Sequence, residues 1–193
     1  PSLLLGQDVT GATLGIIGFG RIGRGMAKRA QGFDMRVLFY DEYVPADDPF
    51  AQEIGAEAVD MDTLLRESDF VSVHTPLTEE TYHLIDAAAL AKMKSTAILI
   101  NTARGPLVEP NALYEALSSG QILYAALDVT EPEPIPMDSP LLSLDNIIIA
   151  PHIASASVAT RNKMAEMAAN NLIAGLKGER LPNCVNPEVY GAK

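Results

Sequence analysis

The sequence predicts an α/β fold, a doubly wound parallel sheet in a single domain with helices on both faces, and three observations carry that prediction. Short β-type runs alternate with helix-patterned stretches along the chain, the order that lays parallel strands side by side through crossover helices. The first run leads directly into Gly18-Phe19-Gly20-Arg21-Ile22-Gly23, the spacing of a strand-to-helix turn that cradles a dinucleotide in Rossmann-type domains. Finally, the distinctive polar residues fall just past the ends of the runs, on the sheet edge where open parallel sheets gather ligands.

The β-type runs are Leu14 to Ile17, Arg36 to Tyr40, Ala56 to Val59, Phe70 to His74, Ala97 to Asn101, Tyr124 to Asp128 and Ile147 to Ala150. Between them, Arg21 to Gln31 has helical spacing. Asp62-Thr63 reads as a helix start before Leu64-Leu65, and Asp86 opens Ala87 to Met93. Pro110 stands near the first turn of a helix over Asn111 to Ser118 that Gly120 ends. A last helix is predicted from about Ala156 to Leu176, with Met164, Met167, Ala168, Leu172 and Ile173 as its core face. Pro132, Pro134, Pro136 and Pro140 make the connection from Glu131 to Pro140 stiff and non-helical.

With 193 residues, 48% of them hydrophobic, the chain suits one compact domain. Fourteen Lys and Arg against 25 Asp and Glu leave a charge of −11, which offers no basic field for nucleic acid or an anionic membrane. Cys184 is the one cysteine, so no intrachain disulfide framework exists and a reducing compartment is implied. No apolar run approaches the length of a membrane span, and residues 1–10 lack a signal-peptide pattern. A cytoplasmic protein is therefore expected.

In the glycine turn, Gly18 makes the bend, Gly20 lets backbone approach a pyrophosphate, and Gly23 lets helix pack on strand. Asp41, closing the second run, is placed to accept both ribose hydroxyls and to repel a 2′-phosphate, favouring NAD over NADP; a solvated turn acid is the alternative. Arg104, beyond the fifth run, offers a planar fork for a substrate carboxylate, or a structural salt bridge. His152 follows the seventh run, where an imidazole can exchange protons at neutral pH, or pack as a core histidine. Glu133 lies where the proline-rich connection can hold it against His152, but nothing local separates it from Glu131. His74 ends a run and reads as lining the adenine side, and His83 reads as a surface residue. Three histidines and one cysteine are too dispersed for a metal site, and neither a Gly-x-Ser-x-Gly elbow nor a Walker lysine is present.

These residues resemble the D-isomer-specific 2-hydroxyacid dehydrogenase family. The likeness runs through Leu14 to Gly23, Ser68-Asp69 to His74-Thr75-Pro76-Leu77-Thr78, Met93-Lys94, Ile100 to Val108, Ala126 to Pro134 and Pro151 to Ser155. It implies Arg104, Glu133 and His152 as catalytic residues, and so selects Glu133 over Glu131. It also implies that Asp128 contacts the nicotinamide carboxamide and that Arg21, Ile22, Thr75, Thr102 and Ala103 line NAD. Gly18, Gly20, Gly23, Asp41, His74, Pro76, Arg104, His152 and Ala154 complete the cofactor set. The implied reaction is hydride transfer between NAD(H) and a small 2-oxo or 2-hydroxy acid of D configuration. The features around Asp128-Val129-Thr130 and Ala169-Asn170-Asn171 resemble the glyoxylate and hydroxypyruvate reductase branch. Ala154 replaces a glycine common in relatives, and Tyr124 stands where small residues are usual.

Family members carry a substrate domain as well, so the resemblance implies a cofactor domain over residues 1–179. Residues 180–193 are then a tail leading back to a substrate domain, without which the chain is expected to be inactive. A homodimer through the cofactor domain is also implied, using Pro1 to Leu5 and the last helix. The alternative is an NAD-sensing, corepressor-like interaction module.

Overall fold

The computed structural model describes residues 6–191. They divide into two compact units, the first ending at His152 and the second beginning at Ile153. The expected surface at Pro1 to Leu5 lies outside the described residues.

The first unit is a seven-stranded, all-parallel Rossmann-type sheet in the order β3-β2-β1-β4-β5-β6-β7. Its strands are β1 (Thr13–Ile17), β2 (Arg36–Tyr40), β3 (Glu57–Ala58), β4 (Phe70–Val73), β5 (Ile98–Asn101), β6 (Tyr124–Leu127) and β7 (Ile147–Ile149). The chain runs outward from β1 to β3, then returns to pair β4 on the other side of β1, which leaves a crevice at the carboxyl ends of β1 and β4. Leu14 and Ile16 of β1 pack with Phe19, Ala27, Val37 and Phe39, where the rings of Phe19 and Phe39 stack at 4.0 Å. A larger cluster joins Ile17, Val71, Val73 and Leu99 to Leu64, Leu65, Ile85 and Leu90. Strands buried on both sides explain why their sequences are nearly continuous apolar runs rather than alternating ones.

The helices of this unit are α1 (Arg21–Ala30), α2 (Pro49–Ile54), α3 (Met61–Glu67), α4 (Ala87–Leu90) and α5 (Pro110–Ser118). α2 is an element the periodicity did not reveal, being only six residues long. Its signals are nevertheless present: Asp48 caps it by accepting from the Ala51 N–H at 3.0 Å, Pro49 opens it, and Gly55 ends it at φ +67°. The expected α3 start at Asp62-Thr63 is corrected to Asp60, whose carboxylate accepts from the Thr63 N–H at 2.7 Å. α4 stops at Leu90, short of Met93, because turns rather than helix cover the last residues.

In the second unit, Ser157 caps α6 (Val158–Leu176) through the Thr160 N–H at 3.1 Å. After Gly178, at φ +70°, the chain turns back along this helix: the Asn183 N–H donates to Asn171 Oδ1 at 2.9 Å and Arg180 lies over the Tyr190 ring. The expectation that Met164, Met167, Ala168, Leu172 and Ile173 form core is overturned, since all five are exposed. One helix and a short return segment cannot cover such a face, and Ala174 is the one α6 residue they bury. No helix among the described residues is long and apolar enough to cross a membrane.

Candidate active site

Three cavities lie along the carboxyl ends of the strands, and the predicted residues of the first unit, apart from Gly20 and Gly23, distribute among them. The first, about 130 Å³, holds Gly18, Asp41, Glu42, Tyr43, Thr75 and Pro76. Gly18 sits at φ +93° with no room for a side chain, since a Cβ would come within 2.5 Å of the Thr75 nitrogen. At Gly23 a Cβ would collide with the Gly18 carbonyl oxygen, whereas at Gly20 it would meet nothing within 4 Å. Two glycines therefore close the turn, and the third leaves backbone open to a ligand.

α1 supports the same reading. Asp48, Asp60, Asp86, Glu109 and Ser157 each cap their helix with a side chain, but Gly20 gives α1 none. A cap is worth about 1 kcal/mol, so this helix end forgoes stability and keeps its N–H groups and positive dipole end for an anion. Asp41 does more than face the cavity. Its Oδ2 accepts from the Phe19 N–H at 2.7 Å, and Oδ1 accepts from Tyr43 and Val44 at 2.8 and 3.2 Å. The acid expected to read the ribose thus also pins the glycine turn to the end of β2. These features fit the pyrophosphate and ribose of a dinucleotide.

The second cavity, about 650 Å³, is lined by Arg21, Ile22, His74, Thr75, Pro76, Leu77, Thr102, Ala103 and Arg104. Ile22 is 69% exposed, an apolar side chain at the start of α1. His74 Nε2 shares a hydrogen bond with Ser72 Oγ at 2.9 Å, and burial holds its imidazole below the usual histidine range. The Arg104 Nη1–H donates to the Ala103 carbonyl at 2.6 Å.

The third cavity, about 470 Å³, collects Asp128, Thr130, Glu133, Pro134, Pro151 and His152, among others. The His152 Nδ1–H donates to Glu133 Oε1 at 2.7 Å, with the two side chains 49% and 42% exposed. His152 is held at φ +55°, and its backbone N–H donates to the Asp128 carbonyl at 2.9 Å. The structure thus joins Glu133 to His152 and places Arg104 in the neighbouring cavity. Ala154 stands in the turn that opens the second unit.

Comparison with known proteins matches this geometry. Residues 1–154 match the family model described as D-isomer specific 2-hydroxyacid dehydrogenase, NAD binding domain. The chain belongs to this family. It is 58% identical over 189 residues to a glyoxylate reductase of Korarchaeum cryptofilum, covering 98% of this chain and 56% of that relative. It is 53% identical over 188 residues to a glyoxylate/hydroxypyruvate reductase B of Citrobacter koseri, covering 96% and 57%. Among solved structures, the TT0316 protein from Thermus thermophilus superposes with a TM-score of 0.88 at 49% identity, covering 96% of this chain and 57% of that one. The chain spans a little over half the length of the relatives it matches.

As an NAD-binding domain of the D-2-hydroxyacid dehydrogenases, the chain contains further residues that sequence reasoning missed. Asn101, fully buried at the end of β5, donates from Nδ2 to the Arg104 carbonyl at 2.8 Å and accepts from the Ala103 N–H at 3.0 Å. It shapes the loop that presents Arg104; its only sequence signal was an amide ending an otherwise apolar strand. His83 is not the surface residue expected. It is half-buried, with its Nε2–H donating to Glu131 Oε2 at 2.6 Å. Glu131 and Glu133 therefore hold different histidines.

Proposed function

We propose that this chain is the cofactor domain, residues 1–179, of a dehydrogenase that interconverts a small 2-oxo acid and the D-2-hydroxy acid, with glyoxylate or hydroxypyruvate as substrate. The observation that carries the reading is the Glu133–His152 pair beside Asp128, in a cavity adjoining the one that contains Arg104. Residues 180–193 then lead back toward a substrate domain. Relatives named glyoxylate reductase at 58% identity support the substrate class. The pair favours an enzyme over an NAD-sensing, corepressor-like module, which has no use for a proton donor.

Gly18, Gly20, Gly23 and the α1 N-terminus hold the pyrophosphate, and Asp41 the adenosine ribose; Ile22, Thr75, Pro76, Thr102, Ala103 and Asp128 line the path toward the nicotinamide. NADH, when bound, supplies the hydride. Arg104 swings its fork from the Ala103 carbonyl to the substrate carboxylate, a bidentate contact that a lysine cannot reproduce. Glu133 accepts from His152 Nδ1–H, which leaves Nε2 as the nitrogen that gives a proton to the carbonyl oxygen as it becomes an alkoxide. In the oxidative direction the neutral imidazole takes the proton back. Glu42 beside Asp41 adds to the negative field that disfavours a 2′-phosphate. The acidic, single-cysteine chain is suited to the cytoplasm, and a homodimer through this domain would cover the exposed α6 residues.

The test has two arms. Calorimetry on the chain should show NADH binding at least tenfold tighter than NADPH, and equal affinities would remove Asp41 from its role. In the longer dehydrogenase, Arg104→Ala should raise KM and lower kcat, and His152→Ala should act mainly on kcat. Near wild-type kcat/KM in either variant sinks the assignment, whereas rapid glyoxylate reduction by the 193-residue chain alone would overturn only the proposal that a separate substrate domain completes the site around this half-exposed pair.

A further inference from the structure

We propose that Tyr82, His83 and Glu131 form a positioning latch that locks the Arg104 loop and the Glu133 strap to one another. The proposal rests on the reading above. None of the three residues lines the cavities assigned to cofactor and substrate, so none is catalytic.

Glu131 commits both carboxylate oxygens, accepting from Tyr82 OH at 3.0 Å through Oε1 and from His83 Nε2–H at 2.6 Å through Oε2. The Tyr82 and His83 rings stack with centroids 3.9 Å apart, so the two donors approach as one plate. The backbone of the same turn holds the other catalytic segment. The His83 N–H donates to the Pro106 carbonyl at 2.8 Å, and the Ile85 N–H donates to Leu107 at 2.9 Å. One turn therefore grips the chain two residues after Arg104 with its backbone and two residues before Glu133 with its side chains.

Two further observations show that the junction is tight. A Cβ on Gly105 would overlap the Thr130 carbonyl, so the loop and the strap touch backbone to backbone. His83 is held at φ +52°, a conformation that costs a non-glycine residue roughly 1 kcal/mol or more and persists where surrounding structure over-determines it. The strap needs such an anchor. It has no strand or helix pairing of its own, and Glu133 can orient the His152 ring only while it stays at hydrogen-bond distance. Pro132 and Pro134 stiffen the path from anchor to acid.

The experiment uses the longer dehydrogenase with His83→Ala, Glu131→Ala, the double variant, His83→Gln and Tyr82→Phe. Displacing a reacting group by about 1 Å can cost a hundredfold, so each alanine variant should lose about ten- to a hundredfold in kcat/KM with NADH affinity unchanged. KM for the 2-oxo acid should rise, through the Arg104 loop. The value of kcat should fall as well, because a loosened Glu133 no longer fixes the orientation of the His152 ring. The double variant should be no worse than either single, since both break one unit. His83→Gln, which keeps a donor, should recover most activity, and Tyr82→Phe should fall between. A fall in thermal stability without movement of KM or kcat overturns the latch, as do additive losses. If Arg104→Ala and His152→Ala abolish turnover while His83→Ala and Tyr82→Phe leave it intact, the latch alone fails; if those first two retain turnover, the functional reading fails.

Discussion

Two histidine–glutamate pairs stand two residues apart on one strap and are built from the same parts. His152–Glu133 and His83–Glu131 each join a histidine at positive φ, +55° and +52°, to a carboxylate, at 2.7 and 2.6 Å. Each histidine has its backbone N–H tied to a carbonyl of a neighbouring loop, Asp128 in one case and Pro106 in the other. What differs is the surroundings. The first pair is nearly half exposed and borders a cavity of about 470 Å³, while the second is about a quarter exposed and has a tyrosine on its other carboxylate oxygen. On the proposed reading, an imidazole–carboxylate pair is a reagent where a ring nitrogen meets a cavity and a brace where the donors around the carboxylate close it off. Residue identity does not distinguish the two.

The comparison is broken most directly by neutralising each acid in the longer dehydrogenase. Glu133→Gln should lower the rate of 2-oxo acid reduction by about a hundredfold or more, within the range that general acid catalysis supplies. Glu131→Gln retains oxygen and size for Tyr82 and should cost about tenfold at most. Steady-state kinetics of the two variants decides the matter, and equal losses would erase the distinction between reagent and brace.

A second test acts at the seam between the pairs. Gly105→Ala drives a methyl group into the Thr130 carbonyl and should destabilise the first unit by about 1–3 kcal/mol. Gly25→Ala, in α1, meets only the Arg29 guanidinium at 3.3 Å and should be neutral or stabilising by up to about 1 kcal/mol. Thermal unfolding of the chain checks both, and an unchanged midpoint for Gly105→Ala would refute the backbone contact.

The smallest expected effect separates both pairs from the third histidine on this edge. His74 has a serine hydroxyl for a partner, and burial lowers its pKa from 6.5 in the folded state. Its neutral form is therefore favoured by folding. That contribution is complete above about pH 6.5 and is lost as pH falls from there through the lower folded-state value. His74→Gln should flatten the stability profile in that window. A separate, more acidic loss should remain, because the Arg24 guanidinium holds the Asp48 carboxyl below its ordinary value. Denaturant melts at a series of pH values measure both, and an unaltered slope between pH 7 and 5 in His74→Gln would exclude His74 as its source.

Much of the site was legible because its determinants are local. The glycine turn follows from sterics within six residues, and each strand end can be counted from an apolar run, so Gly18, Asp41, His74, Arg104, Asp128 and His152 all fall on one edge by counting alone. Glu133 was different: its neighbourhood reads like that of Glu131, and only family resemblance separated them. α2 was missed because six residues are too few for a period, although its cap and its terminal glycine were visible. The apolar row of α6 was read as core because periodicity reports a face and says nothing of what covers it.

The sequence by itself thus determined the succession of strands, the turn, and the edge on which the candidate site residues collect, since these follow from steric and hydrophobic constraints spanning a few residues. Tertiary structure decided which acid meets which histidine, and nothing in the sequence pointed to the pairing of Glu131 with His83. Glu133 and His152 are 19 residues apart, and Glu131 and His83 are 48 apart, distances at which no periodicity or turn rule couples two side chains. Asp41 pinning the glycine turn belongs to the same class, since it accepts from the Phe19 N–H 22 residues away. That contact requires the ends of β1 and β2 to converge, and the convergence exists only once the strands are packed side by side.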